Sequence, residues 1–349
     1  MTSQEAPLTK AQLSELAAEF GLGKLAGSSG PVDGWGAHRY LLSSSKGRFE
    51  LRVHRLDEEY ELRREIDLLT FLDKHDFPSP RPTVDRHGRF IIEYGGSCLL
   101  LLKIPTAQAV AENKLTLKQI NDAGHLIGEM HMLGRGYKKS IDNRYGFDRM
   151  FETYAAARRR MPTHFKKVVR TLDEEIEYLG NYLESKLPKG IIHGALHREL
   201  LAFKGENVLC LGGFGYACRG KYVFDLATAV NAMCFIDDHY ELERFEALMA
   251  GYESLRTLSL AEWDSFPNEL RFAALRFTIT RLDEFFESGT EQERTRINKD
   301  FGAYLERLRV LRREKEGGME KLLMAMATGY DYRKYQRVAV GDSPRERNK

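Results

Sequence analysis

The stretch GIIHGALHRELLAFKGENVLCLGGFGYA, from Gly190 to Ala217, contains two short apolar runs that are each followed by a turn. Short apolar runs bounded by turn residues are typical of buried strands, and polar side chains in the turns that follow them can meet at one place. The stretch therefore has the layout of a catalytic centre. Its turns nevertheless carry Ala195, Leu200 and Gly213, which offer no side-chain oxygen or nitrogen for chemistry.

The whole chain has the composition of an ordinary folded protein. It contains 349 residues, of which 42% are hydrophobic and 30% charged, and its net charge is +2. This length fits one large globular unit or two lobes that share a cleft. The small net charge gives no general attraction to nucleic acid or to a membrane surface, and no run of about 18 apolar residues occurs. We therefore expect no nucleic-acid partner, no membrane segment, no secretory signal and a cytoplasmic location.

The four cysteines form no CxxC pair, and three of them lie within apolar runs; they are Cys98, Cys210, Cys218 and Cys234. This distribution predicts buried, reduced thiols in a cytosolic protein. It disfavours a zinc site or a disulfide framework.

The first third of the chain predicts a small antiparallel sheet with helices packed on it. Residues 9–20 have helical spacing and begin with a capping box, Thr9 and Gln12. Two strand-like runs follow and are joined by a turn at Lys46-Gly47; after a second helical segment, two more strand-like runs are joined at Gly95-Gly96. The order strand, strand, helix, strand, strand suits an α+β fold.

The remainder is predicted to be mostly helical. A second capping box, Thr116 and Gln119, opens a helix. Residues 269–287 are apolar on more than one face and should form a buried helix. Residues 300–316 are apolar on one face only and should form a surface helix. The predicted division is an N-terminal lobe over residues 1–104, a larger helical C-terminal lobe over 105–328 and a polar, basic tail over 329–349.

Residues 191–235 resemble the core motif block of the aminoglycoside-phosphotransferase-like kinases, and are most similar to the small-molecule homoserine kinases among them. In that family the block reads H-G-D-x-x-x-x-N, a strand, I-D-F and then a D-L-A helix. The similarity extends over roughly residues 10–313. It implies a protein-kinase-like two-lobe fold with a small antiparallel-sheet N-terminal lobe and a larger, mainly helical C-terminal lobe.

The resemblance fails at the residues that carry the chemistry. The family's catalytic aspartate falls on Ala195, its metal-binding asparagine on Leu200, and its second metal-binding aspartate on Gly213. Magnesium requires oxygen ligands, which none of these side chains supplies. We therefore expect no catalytic residue and no metal site here, unless His197 or Glu199 in the same turn replaces the lost ligands. The alternative interpretation of those two residues is a solvated loop.

The resemblance keeps the structural residues of the motif. His193 and Gly194 keep the turn, and Asp225 falls on the aspartate that supports this turn from the following helix. We expect Asp225 to brace the turn by hydrogen bonds.

The resemblance also implies a nucleotide site in the N-terminal lobe. Arg52 falls on the position of the phosphate-contacting lysine and Glu65 on its helical partner, so that the two residues either form an ion pair or leave Arg52 paired with water. Gly34 and Gly36 suit a glycine-rich lid over phosphates, although an ordinary flexible hairpin fits them as well.

These observations predict a pseudokinase, a kinase-like fold that binds a protein partner and, in addition, ATP, another nucleotide or a small metabolite, without firm Mg²⁺ binding. The alternative is an ATP-dependent small-molecule hydroxyl kinase, similar to homoserine kinase, with displaced catalytic residues. A structural protein with a collapsed, empty cleft is the third interpretation.

Overall fold

The computed structural model describes residues 7–34, 37–106, 114–183, 186–287, 291–313 and 322. The helices are α1 (Lys10–Glu19), α2 (Glu59–Asp73), α3 (Leu117–Gly134), α4 (Phe147–Arg158), α5 (Lys166–Tyr182), α6 (Tyr222–Met233), α7 (Leu242–Glu253), α8 (Leu260–Glu287) and α9 (Glu291–Leu311). The strands are β1 (Leu25–Gly34), β2 (Ala37–Ser44), β3 (Gly47–Arg55), β4 (Arg81–Thr83), β5 (Ile91–Tyr94), β6 (Ser97–Ile104), β7 (Lys189–Ile192), β8 (Leu201–Lys204), β9 (Asn207–Leu211), β10 (Cys218–Lys221), β11 (Phe235–Ile236) and β12 (His239–Tyr240).

The chain divides into two compact units, which are not continuous in sequence. The first unit is drawn from Met1–Val110, Gly136–Ile141 and Glu199–Ala217. The second unit is drawn from Ala111–Arg135, Asp142–Arg198 and Cys218–Lys349. The motif block is therefore shared, because its first turn lies in the second unit and its second strand pair, β8 and β9, lies in the first.

The first unit is built on a six-stranded sheet in the order β1-β2-β3-β6-β4, with β5 also paired to β6. All of these pairs are antiparallel. The two predicted hairpins are present, since Ser44 pairs with Gly47 and Tyr94 with Ser97. Together with the helical second unit, this sheet confirms the predicted α+β class.

Strand alternation gives the two faces of β3 different roles. Phe49 and Leu51 are buried in a core cluster that also contains α1 residues such as Leu13 and Leu16. Because side chains along a strand alternate between faces, Glu50 and Arg52 lie on the opposite face of the sheet. The first face builds the hydrophobic core, and the second carries charge.

The edge strand β1 was not predicted from the sequence. Its residues LAGSSGPVDG show no alternation of apolar and polar side chains and include Pro31. Proline and glycine are tolerated on an edge strand, because the N–H groups on the outer side need no partner in the sheet. The pairing of β1 with β2 is interrupted between Ser29 and Val32, and Pro31 lies inside that interruption.

In the second unit, helices α3 and α7 pack so closely that the backbone of each helix lies against the backbone of the other. A Cβ atom at Gly251 would overlap the carbonyl oxygen of Asn121 and lie 2.9 Å from the backbone nitrogen of His125. A Cβ atom at Gly124 would likewise overlap the carbonyl oxygen of Leu248. Glycine at these two positions is therefore what lets the helices approach so closely.

The two late helices match their predicted environments. Helix α8 buries side chains around its whole circumference, including Leu270, Ala273 and Phe277. Over residues 301–311, where its side chains are described, helix α9 buries one face, with Phe301 and Leu308 among the buried residues.

The cysteines are free thiols and all four are buried. Burial raises the pKa of the Cys210 thiol to about 12, with a smaller contribution from the Glu50 carboxylate. Such a thiol stays protonated near neutral pH and is a poor nucleophile. Within the described residues, the helices are too short or too polar to span a bilayer.

Candidate functional site

The turn at the start of the motif block is held by a buried carboxylate. The backbone N–H of His193 donates to Oδ2 of Asp225 over 2.6 Å, and the N–H of Gly194 donates to Oδ1 over 2.8 Å. His193 and Asp225 are fully buried, and Gly194 has a positive φ of 76° that favours glycine. The predicted brace by Asp225 is confirmed.

Behind this brace lies a chain of buried hydrogen bonds that sequence reasoning missed. Nε2 of His131 lies 3.0 Å from Oδ2 of Asp225, and Nδ1 lies 2.9 Å from the hydroxyl of Tyr252. Arg256 donates in turn to the Tyr252 oxygen over 2.9 Å. Burial lowers the pKa of His131 despite the opposing effect of Asp225. A neutral ring that donates from Nε2 to Asp225 and accepts the Tyr252 O–H at Nδ1 fits every distance.

Ala195 is the residue to which the motif resemblance assigns the catalytic aspartate. It is buried, and its backbone N–H donates to Nδ1 of His193 over 3.3 Å. A methyl group here can neither accept a proton nor orient a hydroxyl group. The turn that Asp225 braces therefore carries no acid–base side chain at residue 195.

His197 is a buried residue, so its interpretation as part of a solvated loop was wrong. Its Nδ1 lies 2.8 Å from the hydroxyl of Tyr304 on α9, and its ring packs edge-on against Phe277 with centroids 4.6 Å apart. The ring is thus held inside the helical unit rather than presented to a ligand. Glu199 is exposed, as the solvated-loop interpretation predicted.

The burial of His197 also makes the stability of the folded protein sensitive to acid. Burial lowers its pKa well below the usual range, and the guanidinium groups of Arg281 and Arg276 lower it further. The unfolded chain binds a proton near pH 6.5 while the folded protein does not, so stability falls as the pH drops below about 6.5. His131 acts in the same direction.

We therefore expect the free energy of unfolding to fall by about 1 kcal/mol per buried histidine between pH 7.5 and pH 5.5. Urea titrations at the two pH values measure this difference. In His197→Gln the difference should shrink, whereas in the control His87→Gln, which alters an exposed ring, it should stay as in the wild type. Equal differences in all three proteins would contradict the assignment.

In the first unit, Leu200 fills the space beside Gly213. A Cβ atom at Gly213 would lie 2.7 Å from Cδ2 and 2.8 Å from Cδ1 of Leu200, and the glycine has a φ of 82° that most residues avoid. The N–H of Gly212 donates to the Leu200 carbonyl over 2.7 Å and fixes the two segments together. An acidic side chain at position 213 would meet the leucine.

These residues do not fit the magnesium ion that the family uses. Ala195, Leu200 and Gly213 supply no side-chain oxygen, and Leu200 places methyl groups where ligands would be needed. Across the described residues, no group of three or more His, Cys, Asp or Glu side chains could hold a metal ion.

Of the two alternatives for Arg52, the ion pair with Glu65 is the one present. Nη1 of Arg52 donates to Oε1 of Glu65 on α2 over 2.8 Å. Its Nε also donates to Oε1 of Glu50, a second carboxylate that sequence reasoning missed although residues 50 and 52 share one face of β3. Burial disfavours the charge on Arg52, but Glu50 and Glu65 outweigh it and raise its pKa. Arg52 therefore stays a cation.

Glu65 also contacts the segment after Gly213. A Cβ atom at Gly215 would lie 3.3 Å from Oε2 of Glu65, and Phe214 packs edge-on against Phe77 with centroids 6.3 Å apart. The segment after Gly213 thus packs against Glu65 of α2 and against Phe77, which follows α2 in the chain. Gly34 ends β1 and pairs with Ala37, and Gly36 lies outside the described residues, so the phosphate lid stays a prediction.

Comparison with known proteins agrees with this geometry. The model of the phosphotransferase enzyme family matches residues 29–258. The chain is 29% identical over 281 residues to the homoserine kinase of Caulobacter sp. (strain K31). The aligned region covers 80% of this chain and 87% of that relative. It is 27% identical over 268 residues to the homoserine kinase of Methylobacillus flagellatus, covering 76% and 82% of the two chains.

Solved structures are similar at the level of the fold. Amicoumacin kinase hAmiN in complex with AMP-PNP, Ca²⁺ and Ami aligns with a TM-score of 0.66 and 15% identity, over 85% of this chain and 93% of that one. Spectinomycin phosphotransferase in complex with ADP and spectinomycin aligns with a TM-score of 0.60 and 13% identity, over 86% and 95%. The similarity confirms the protein-kinase-like fold predicted from the motif block.

Proposed function

Since this chain belongs to the phosphotransferase enzyme family, we propose that it keeps the kinase-like fold for binding and does not transfer phosphate. The ligand is a nucleotide or a small metabolite, and the partner is a protein whose activity the chain regulates or positions. The observation that carries this proposal is the contact between Leu200 and Gly213, where methyl groups fill the space that a metal-binding side chain would enter.

The chemistry of phosphoryl transfer supports the same conclusion. Transfer depends on a metal that bridges the phosphates and on an acid side chain that orients and deprotonates the acceptor hydroxyl group. Loss of a general base alone slows a reaction by about 10²–10⁴-fold. In this chain Ala195 removes the base, and Leu200 and Gly213 remove two metal ligands, so all three losses act against transfer.

A second candidate function is the ATP-dependent phosphorylation of a small hydroxyl substrate, as in homoserine kinases. The comparisons taken alone favour this candidate, because the similarity to homoserine kinases covers about four fifths of the chain. The braced turn at Asp225 and the Arg52–Glu65 pair also suit an active enzyme. Activity would need displaced ligands, and Glu199 is an exposed carboxylate within the motif block.

One experiment separates the two candidates. Purified protein is incubated with ATP and Mg²⁺ and either homoserine or an aminoglycoside, and phosphate transfer is followed with labelled ATP. We expect no transfer above a heat-denatured control. In parallel, ATP should raise the melting temperature by the same amount with Mg²⁺ and with a chelator, because an arginine can hold phosphate oxygens without a metal.

Robust magnesium-dependent transfer that Glu199→Gln abolishes would establish the enzyme instead. Neither transfer nor stabilisation by any nucleotide would favour a structural protein with no ligand. For the partner, crosslinked complexes should change the activity of the captured protein, and an unchanged activity would count against regulation.

A further inference from the structure

Four charged side chains alternate across one face of the sheet in the first unit. Arg39 on β2 lies directly opposite Arg52 on β3, so both arginines project from the same face. Glu50 lies between them, since its Oε1 accepts from Nε of Arg52 and its Oε2 is 3.8 Å from Nη1 of Arg39. Glu65 pairs with the far side of Arg52. The two cations therefore share one carboxylate.

Arg39 is poorly satisfied in this arrangement. Within the part of the chain that the structure describes, its Nε is buried and has no hydrogen-bond partner. The 3.8 Å separation from Glu50 is too long for a hydrogen bond, although it is short enough for electrostatic attraction. The guanidinium side chain remains 29% exposed. A guanidinium carries five N–H donors, and Glu50 alone cannot satisfy those that Arg39 and Arg52 direct towards it.

We propose that Arg39 and Arg52 form a phosphate-binding pair, and that the Glu50 carboxylate between them takes the place of the phosphate in the ligand-free protein. This inference rests on the proposed function and adds to it a second binding residue and an internal competitor. Two planar guanidinium groups can each hold phosphate oxygens through parallel hydrogen bonds, and they need no metal ion to do so. The ligand class is a phosphoanhydride, carried either by a nucleotide or by inorganic polyphosphate.

The balance of charge explains why Glu50 controls this pair. Arg39 and Arg52 are matched by Glu50 and Glu65, so this cluster of four residues has no net charge of its own to attract an anion. The guanidinium of Arg52, with help from Arg39, lowers the pKa of Glu50 in spite of its burial, and Glu50 stays ionised near neutral pH. An incoming phosphate must therefore displace the Glu50 carboxylate. Removing that charge frees donors on both arginines.

The test is a titration by calorimetry in the presence of a chelator, with ATP, tripolyphosphate and adenosine as separate ligands. Glu50→Gln should bind ATP about tenfold more tightly than the wild type, and Arg39→Gln about fivefold more weakly. Adenosine binding should not change in either variant. The matched controls are Glu93→Gln, an exposed carboxylate on β5, and Arg55→Gln, whose side chain is 64% exposed and paired with Asp57. Both controls should bind as the wild type does.

The outcomes separate this inference from the proposed function. If the wild type binds ATP and the substitutions at Arg39 and Glu50 change nothing, the phosphate-binding pair is refuted and nucleotide binding stands. If only Glu50→Gln binds ATP or tripolyphosphate, the pair is supported and nucleotide binding by the native protein is refuted. If no variant binds any of the ligands, both are refuted. Binding of tripolyphosphate as tight as that of ATP assigns the affinity to the phosphates alone.

Discussion

Asp225→Ala should lower the free energy of unfolding by about 3–5 kcal/mol, the largest single effect expected in this protein. The carboxylate accepts hydrogen bonds from the N–H groups of His193 and Gly194 and from the His131 ring. The residue is fully buried, so alanine would leave three donors without a partner where water does not reach. Each buried donor without a partner costs about 1–3 kcal/mol.

Chemical denaturation followed by circular dichroism measures this loss. Asp264→Ala is the matched control, because Asp264 is an exposed residue of α8 and its removal should change stability by about 0.5 kcal/mol or less. Asp225→Asn should be intermediate, since an amide can accept from one backbone N–H but presents donors to the other. A loss for Asp225→Ala as small as that of the control would mean that the turn is not held by this carboxylate.

Gly251→Ala should also be strongly destabilising, by about 3 kcal/mol. The added Cβ atom would overlap the Asn121 carbonyl oxygen, and because the obstacle is backbone, helices α3 and α7 must move apart. The displacement would disturb Tyr252, which follows directly in α7 and belongs to the buried hydrogen-bond chain.

The control for this substitution is another helical glycine. A Cβ atom at Gly302 on α9 would meet no atom within 4 Å, so Gly302→Ala should be neutral or should stabilise the protein by up to about 1 kcal/mol through helix propensity. Melting temperatures of the two variants give the comparison. If the two melting temperatures shift equally in the same direction, then the close approach of α3 and α7 does not exclude a side chain at residue 251.

Local signals in the sequence predicted much of the fold. The capping boxes at Thr9 and Thr116 start α1 and α3 as expected, with both reciprocal hydrogen bonds present in each. The Gly95-Gly96 turn joins β5 to β6, and both glycines have positive φ. These features depend on residues close together in the chain, and so the sequence displays them directly.

Features that depend on distant partners were not predictable in the same way. Nothing near His131 indicates that it bonds to Asp225, 94 positions later. His197 was misinterpreted because a polar residue in a turn ordinarily faces solvent, whereas here α9 supplies Tyr304 to cover it. The exception is Glu50, whose spacing from Arg52 placed both on one face and could have been recognised.

The contact between Leu200 and Gly213 has an evolutionary consequence. An aspartate introduced at position 213 alone would collide with the leucine and adopt an unfavourable φ, so that change carries a stability cost without restoring a metal site. An asparagine introduced at position 200 alone would find no second ligand. Under the proposed function, neither substitution alone completes a metal site, and Ala195 adds a third requirement. If the proposed function holds, regaining the family's motif would take all three substitutions together.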